Sequence, residues 1–339
     1  LREVTALMSV YNGEKFIEES IQSILNQSYS DFELLIVDDC STDNTVQVIK
    51  SIKDERIRLI ELKENVGVGA ALRYSLDFIN SKYVIKVDSD DINHKDRFLL
   101  QKEYMDKNTD VTLCKTLMEY FSESENVKLT DRFKYLNEKK AECYNRVRSS
   151  ADLAKYIEYW FCVPHYTIMI RTDILIKIKY DPIRFGEDYN LIYKLNKLGY
   201  KMGTVEKKLV YCRVRKDSLT GLGGDNEKNF ERVFDLKSDA IGEFFALEKE
   251  CYIWGTGTLA KSFYNKLNSS DLSVNVLGFI DGTLEKGQSS EFLGYCVNSK
   301  EIAKENKKKI IIAASPAIFI AMEYLDSIDY ELGKNYYIF

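Results

Sequence analysis

No C-x-x-C pair occurs among the seven cysteines, which are odd in number and widely scattered. That pattern signals neither a disulfide framework nor a zinc knuckle, and free thiols in a reducing cytosol are expected. No basic excess is present either: the formal charge is -5 and the pI about 5.5, with acids and bases interspersed. A nucleic-acid partner is therefore not expected. No apolar run is long enough for a bilayer, since the longest, residues 310 to 322, is broken by Ser315 and Pro316. No signal peptide is expected ahead of Val4. The chain is expected to be cytoplasmic, with a peripheral contact at the inner face of the cell membrane left open. Proline is scarce, at three residues, but this reflects coding bias and carries no functional reading.

Apolar content is ample, at 45% of 339 residues, which is too long for a typical single core. The first third alternates regularly. "VTALMSV" reads as a buried strand, and "EKFIEESIQSILNQ" carries Phe16, Ile17, Ile21, Ile24 and Leu25 at helical spacing. "FELLIVDD", "IRLIEL" and "KYVIKV" repeat the strand, with "STDNTVQVIKSIK" and "GAALRYSLDFIN" as intervening helices. Such alternation implies a largely parallel sheet covered by helices, with ligands bound beyond the carboxyl ends of the strands. The middle third reads as loops and helices covering one side of the sheet. A charged stretch at 225–249 reads as a helical connector between domains at 1–224 and 250–339.

Three strand ends are polar: "SVYNGE", the pair Asp38 and Asp39, and "KVDSDD" with Asp88, Asp90 and Asp91. A D-x-D pair at a strand end presents two carboxylates to one spot and suits Mg²⁺ or Mn²⁺, whose shell a diphosphate and waters complete. An EF-hand is excluded, because the sixth position from Asp88 is Asn93 rather than Gly and the twelfth is Leu99 rather than Glu. Taken alone the pair is also compatible with a solvated turn. It is accompanied, in order, by "SVYNGEKFIEESIQSILNQSYSDFELLIVDDCSTDNT", "ENVGVGAAL", "YVIKVDSDDINHKDRF" and "FGEDYNLIYKLNKLG". This set resembles the family 2 glycosyltransferases of the GT-A fold over roughly residues 4 to 220.

The resemblance implies a fold, a reaction and a set of roles. The fold is α/β, a GT-A nucleotide-diphospho-sugar transferase domain. The reaction is inverting transfer of one sugar from a UDP-sugar to a hydroxyl of a glycan, lipid-linked or polymer acceptor, as in bacterial surface-polysaccharide synthesis. Val10, Tyr11 and Asn12 would line the nucleotide pocket, and Asp39 would accept from the base N–H. Asp88 and Ser89 would lie against the donor, and Asp90 would hold Mn²⁺ or Mg²⁺. Lys86 would reach the diphosphate or donor sugar, or simply pair with Asp88. Asp188 would be the general base, with Glu187 orienting the acceptor, and Asp91 would brace the following turn. His165 either faces the acceptor cleft or is structural; Trp160 and Phe161 either stack on a sugar or pack a core.

The chain also departs from the family's pattern. Arg215 stands where many relatives place a metal-site histidine, so either a guanidinium shares in diphosphate binding or the metal site is looser. Arg73 replaces a usual Asn. The Q-x-x-R-W signature of processive synthases is absent, which favours single transfer. A catalytically silent sugar-nucleotide-binding module and a sugar-nucleotide pyrophosphorylase are the alternatives. In the last ninety or so residues, "WGTGTLA" supplies Gly255, Gly257 and Ala260 after a strand, and Asp281 ends the next one. This part resembles small Rossmann-like domains attached to surface-polysaccharide enzymes. A role in docking, homo-oligomer formation or ligand sensing is expected of it.

Overall fold

The computed structural model describes residues 2–215, 226–314 and 317–339, with 226–229 as backbone only. The expected domain end at 224, most of the segment after Arg215, and the Ser315–Pro316 break lie outside the described residues. The chain falls into two compact units, Leu1–Ile157 with Phe161–Leu222, and Glu158–Trp160 with Gly223–Phe339.

In the first unit β1 (Val4–Val10), β2 (Phe32–Asp38), β3 (Ile57–Glu61) and β4 (Tyr83–Lys86) lie parallel in the order β3-β2-β1-β4. β1 and β2 are almost entirely buried, which is why both read as predominantly apolar runs. Their crossovers are α1 (Ile17–Leu25), α2 (Thr45–Ser51) and α3 (Val68–Ser75). Ile17, Ile21 and Ile24 place α1 on the sheet with no exposed surface. Each such burial contributes roughly 1.5–3 kcal/mol. After β4 come β5 (Ile92–Asn93), α4 (Arg97–Lys107), β6 (Val111–Phe121), β7 (Met169–Arg171) and β8 (Lys201–Arg213). They extend the sheet as β4-β7-β6-β8-β5, with β7 antiparallel to β4 and β6, and β8 parallel to β6.

Two long strands, β6 and β8, replace much of the irregular cover expected in the middle third. β6 hides from a periodicity reading because both its faces are buried and carry polar residues: Thr112, Lys115 and Thr116 are all enclosed. The Lys115 ammonium is satisfied by the backbone carbonyls of Tyr144 and Cys162.

The second unit has its own core and a six-stranded sheet. β9 (Glu250–Trp254), β10 (Asn275–Ile280), β12 (Tyr295–Asn298), β13 (Lys309–Ile312) and β14 (Tyr336–Ile338) are parallel, and β11 (Ser290–Phe292) pairs antiparallel with β12. The order β11-β12-β10-β9-β13-β14 reverses direction at β9. Gly255, directly after β9, has φ +132°, and a Cβ there would lie 2.5 Å from the Ala313 carbonyl oxygen. The helix Asn226–Phe244 contributes Phe230, Phe234, Ile241 and Phe244 to this core. Trp160 also packs here, edge-on to Phe319 at 5.2 Å, whereas Phe161 meets Tyr189 of the first unit.

Candidate active site

The carboxyl ends of β1 and β2 are tied together by their loops. Val10 carbonyl accepts from Asp39 N–H at 2.8 Å, and Asn12 N–H donates to Ser41 Oγ at 2.9 Å. Asn12 adopts φ +53°, a left-handed conformation that asparagine tolerates, and its Oδ1 accepts from Thr42 N–H at 2.8 Å. Tyr11 is half exposed beside it, and Val10 is buried. The buried Asp39 carboxylate accepts from Val66 N–H at 2.7 Å and Gly67 N–H at 2.8 Å, one on each oxygen. Each oxygen retains a lone pair for a further donor. The loop that follows is closely covered: Gly69 N–H donates to Ile183 carbonyl at 3.1 Å. A Cβ on Gly69 would sit 2.4 Å from the carbonyl oxygens of Asp181 and Ile183. The 181–184 segment is therefore seated against the β3–α3 loop, just before the E-D pair.

The acids after β4 sit in a turn braced from three directions. The Ser20 hydroxyl of α1 lies 2.7 and 2.8 Å from the carbonyl oxygens of Asp88 and Asp91. Asp91 is buried, and its carboxylate accepts from Arg213 N–H at 2.9 Å, joining the turn to β8. Arg97, fully enclosed, donates to the Lys86 carbonyl at 2.9 Å and to Gln101 and Asn93. The buried Lys86 ammonium donates to the Val87 carbonyl at 2.9 Å and pairs with Asp88. Asp90 pairs with Arg215 at 3.0 Å, both side chains a quarter exposed. Ser89, half-buried, lies 3.6 Å from where a Cβ on Gly13 would stand.

Charge within the turn is uneven. Burial works to raise the Asp88 carboxyl, but the Lys86 ammonium outweighs it and holds the group below its ordinary value. Asp90 is raised by burial and then by the Asp88 charge, with Arg215 only partly opposing. Asp91 is pushed well up, by burial first and then by Asp90 and Asp88.

The third piece is the start of the helix Glu187–Lys197. Gly186 is left-handed at φ +80°, the conformation that lets the chain turn into the helix with Glu187 and Asp188 in its first turn. Asp188 accepts from its neighbour Tyr189 N–H at 2.7 Å. Ligand atoms of His165, Glu187 and Asp188 all lie within 4.8 Å of one another. Burial, followed by the Asp188 charge, pushes Glu187 up to about 8, and burial followed by the Asp88 charge also raises Asp188. His165 Nε2 and the Tyr180 hydroxyl are 2.8 Å apart, and burial followed by Lys86 brings the ring down to about 3. The imidazole is uncharged at neutral pH.

Residues 5–177, about half of the chain, match glycosyl transferase family 2. An uncharacterised glycosyltransferase of Methanocaldococcus jannaschii is 31% identical over 217 residues, covering 62% of this chain and 70% of that one. The chain belongs to glycosyltransferase family 2. The putative teichuronic acid biosynthesis glycosyltransferase TuaG of Bacillus subtilis is 38% identical over 104 residues, 30% of this chain and 41% of its own length. Among solved structures, S. aureus TarS 1-349 in complex with UDP-GlcNAc superposes at TM-score 0.55 with 19% identity, covering 70% of this chain and 66% of that chain. The mannosyltransferase PcManGT of Pyrobaculum calidifontis, in complex with GDP-Man and Mn²⁺, does so at 0.53 with 16% identity, covering 69% and 64%. These two likenesses support the GT-A fold.

In this family 2 glycosyltransferase the residues singled out by sequence are distributed over three groups. Val10, Tyr11, Asn12 and Asp39 occupy the β1 and β2 ends, and Lys86, Asp88, Ser89 and Asp90 the turn after β4. His165, Glu187 and Asp188 converge on the third. Asp90 is not in the trio with Asp188; it faces Asp88 and Arg215. Asp88 and Asp90 offer hard carboxylate oxygens, and each has one oxygen outside its ion pair among the described residues. Two carboxylates so placed, with an oxygen each to spare, fit a hard divalent cation. Sequence reasoning missed Ser20, Arg97, Tyr180 and Arg213. Arg97 had one available signal: a charged residue beside Phe98 on the apolar stripe of α4, where burial demands partners.

Proposed function

We propose that the protein moves one sugar from a UDP-sugar to an acceptor hydroxyl with inversion at the anomeric carbon. The observation that carries this reading is that pieces far apart in sequence are joined: Lys86 N–H donates to the Ile168 carbonyl at 3.1 Å, Ile168 N–H donates to the His165 carbonyl at 3.3 Å, and ligand atoms of His165, Glu187 and Asp188 lie within 4.8 Å of one another. A base and a donor-side carboxylate therefore share one cleft. Asp39, with lone pairs to spare, accepts the N–H of the uracil ring, while Val10, Tyr11 and Asn12 line the pocket. Lys86 neutralises Asp88 and sets its orientation against the ribose or donor sugar. Mn²⁺ or Mg²⁺ would be held by Asp90 with Asp88 beside it and, when bound, supplies positive charge to the departing diphosphate.

Asp188 takes the proton of the attacking hydroxyl. Burial, followed by the Asp88 charge, raises its carboxyl and so makes the ionised form a better base than an exposed aspartate. Glu187, protonated below about 8, donates to an acceptor oxygen and so orients it. His165, fixed by Tyr180, borders the same space as an uncharged group. The names of TuaG and TarS's UDP-GlcNAc complex support a UDP-sugar and a surface-polysaccharide acceptor. Among the described residues no helix is long and apolar enough to cross a membrane. We place the reaction on the cytoplasmic side, with a glycan or lipid-linked acceptor met at the membrane's inner face.

Radiolabelled UDP-sugars incubated with the full chain and Mn²⁺ test this. Slow hydrolysis of one donor, accelerated by an acceptor, is expected. Pyrophosphate exchange would instead indicate a pyrophosphorylase, and donor binding without turnover a silent module.

A further inference from the structure

Two arginines leave the end of β8 beside the acidic turn, and their surroundings differ. Arg213 is 1% exposed, its guanidinium divided among Glu19, Glu123 and the Asp90 carbonyl and enclosed by the rings of Phe16 and Phe121. Its donors are occupied, and it holds the turn in place. Arg215, two residues on, lies over Phe16 at 5.3 Å and reaches Asp90 through Nη2 alone. Its Nε is buried with no acceptor among the described residues. A buried guanidinium N–H without a partner costs free energy, and the side chain as a whole is a quarter exposed. Its backbone is anchored, the Arg215 carbonyl accepting from Arg132 Nη1 at 3.1 Å. Arg215 is therefore a positioned cation with spare donors, set against the acid that faces the donor's diphosphate in the reading above.

We propose that Arg215 binds the diphosphate of the donor directly, so that donor binding and leaving-group departure depend only in part on a divalent cation. This inference rests on the proposed sugar-nucleotide reading of the same cleft. A guanidinium keeps its charge at any physiological pH and presents paired N–H groups to phosphate oxygens. In the transfer, the acceptor oxygen forms a bond to the anomeric carbon as the bond from that carbon to the diphosphate oxygen breaks. The electron pair leaves with the nucleoside diphosphate, and the hydroxyl proton goes to Asp188. Arg215 donates hydrogen bonds to the departing oxygens and transfers no proton. Its pairing with Asp90 keeps the guanidinium aimed at the cleft before the donor arrives.

Calorimetric titration of the full chain with UDP, in EDTA and in Mn²⁺, tests the inference, with uridine as the probe that lacks phosphate. Wild type is expected to bind UDP in EDTA within about ten-fold of its Mn²⁺ affinity. Arg215→Ala is expected to weaken UDP binding in EDTA by about ten-fold or more while leaving uridine binding within two-fold. Arg215→Lys should fall between them, and Arg215→His should bind UDP tightly only with Mn²⁺. Equal UDP affinity of wild type and Arg215→Ala in EDTA overturns the inference and leaves the donor reading intact. Failure of wild type to bind either UDP or uridine, even with Mn²⁺, overturns both. If Arg215→Ala loses uridine binding through misfolding, the comparison passes to Arg215→Lys and Arg215→Gln, for which equal UDP affinity in EDTA is the overturning result.

Discussion

Asp188 and Glu187 are adjacent in sequence, yet their first-turn positions separate their roles in the proposed reaction. Asp188→Asn keeps the shape and the Tyr189 N–H contact but removes the basic oxygen. Turnover should fall by about 10² to 10⁴-fold, with UDP affinity changed by less than about three-fold, which steady-state kinetics and calorimetry can check. Glu187 yields a prediction about stability. Its folded-state carboxyl is raised from 4.5 to about 8, by burial first and then by Asp188. Between those values the folded protein keeps a proton that the unfolded chain has released, so this group's contribution is fully present below 4.5 and is lost as pH rises through about 8. Glu187→Gln, fixed in the neutral form, should match wild type in melting temperature at pH 4.5. Its advantage should grow toward pH 8 and then level off. A constant offset across that range would show that Glu187 does not titrate as described.

At the scale of elements, the site depends on loops seated against one another rather than on any one motif. The E-D pair is positioned because the 181–184 segment lies directly on Gly69, with Arg184 reaching the Asn65 carbonyl at 3.2 Å. Gly69→Ala adds a methyl group 2.4 Å from two carbonyl oxygens, so one segment must shift. The expected result is a melting temperature lowered by several degrees, equivalent to about 1–3 kcal/mol. Turnover should also fall by ten-fold or more, while uridine binding at the β1 and β2 ends is retained. Unchanged turnover would dissociate this contact from catalysis. The turn after β4 depends in the same way on Ser20. Ser20→Ala removes a hydroxyl shared by two carbonyls and should weaken Mn²⁺-dependent UDP binding more than uridine binding, a difference that calorimetry resolves.

For the whole molecule, two cores predict two unfolding steps. Calorimetric scans should resolve two transitions, and UDP with Mn²⁺ should raise only the one belonging to the first unit. A single transition that shifts as a whole would instead show that the units unfold together. The apolar runs by themselves determined β1 to β4 and made the strand-end acids Asp39, Asp88 and Asp90 stand out, while the GT-A class and the candidate Asp188 came from the resemblance of the ordered motifs to the family. These are local features: β1 and β2 are buried on both faces and mostly apolar, and the acids that end such strands stand out against them. The sequence did not reveal β6, because a strand that is buried on both faces and carries its own polar residues on both shows no alternation. It offered the Lys86–Asp88 pair, two residues apart, as one reading of Lys86, but did not reveal the pairings made at long range. Arg215 with Asp90 and Tyr180 with His165 are pairings made across the fold, and burial, which raises the carboxyls of Glu187 and Asp188, exists only once the chain has packed.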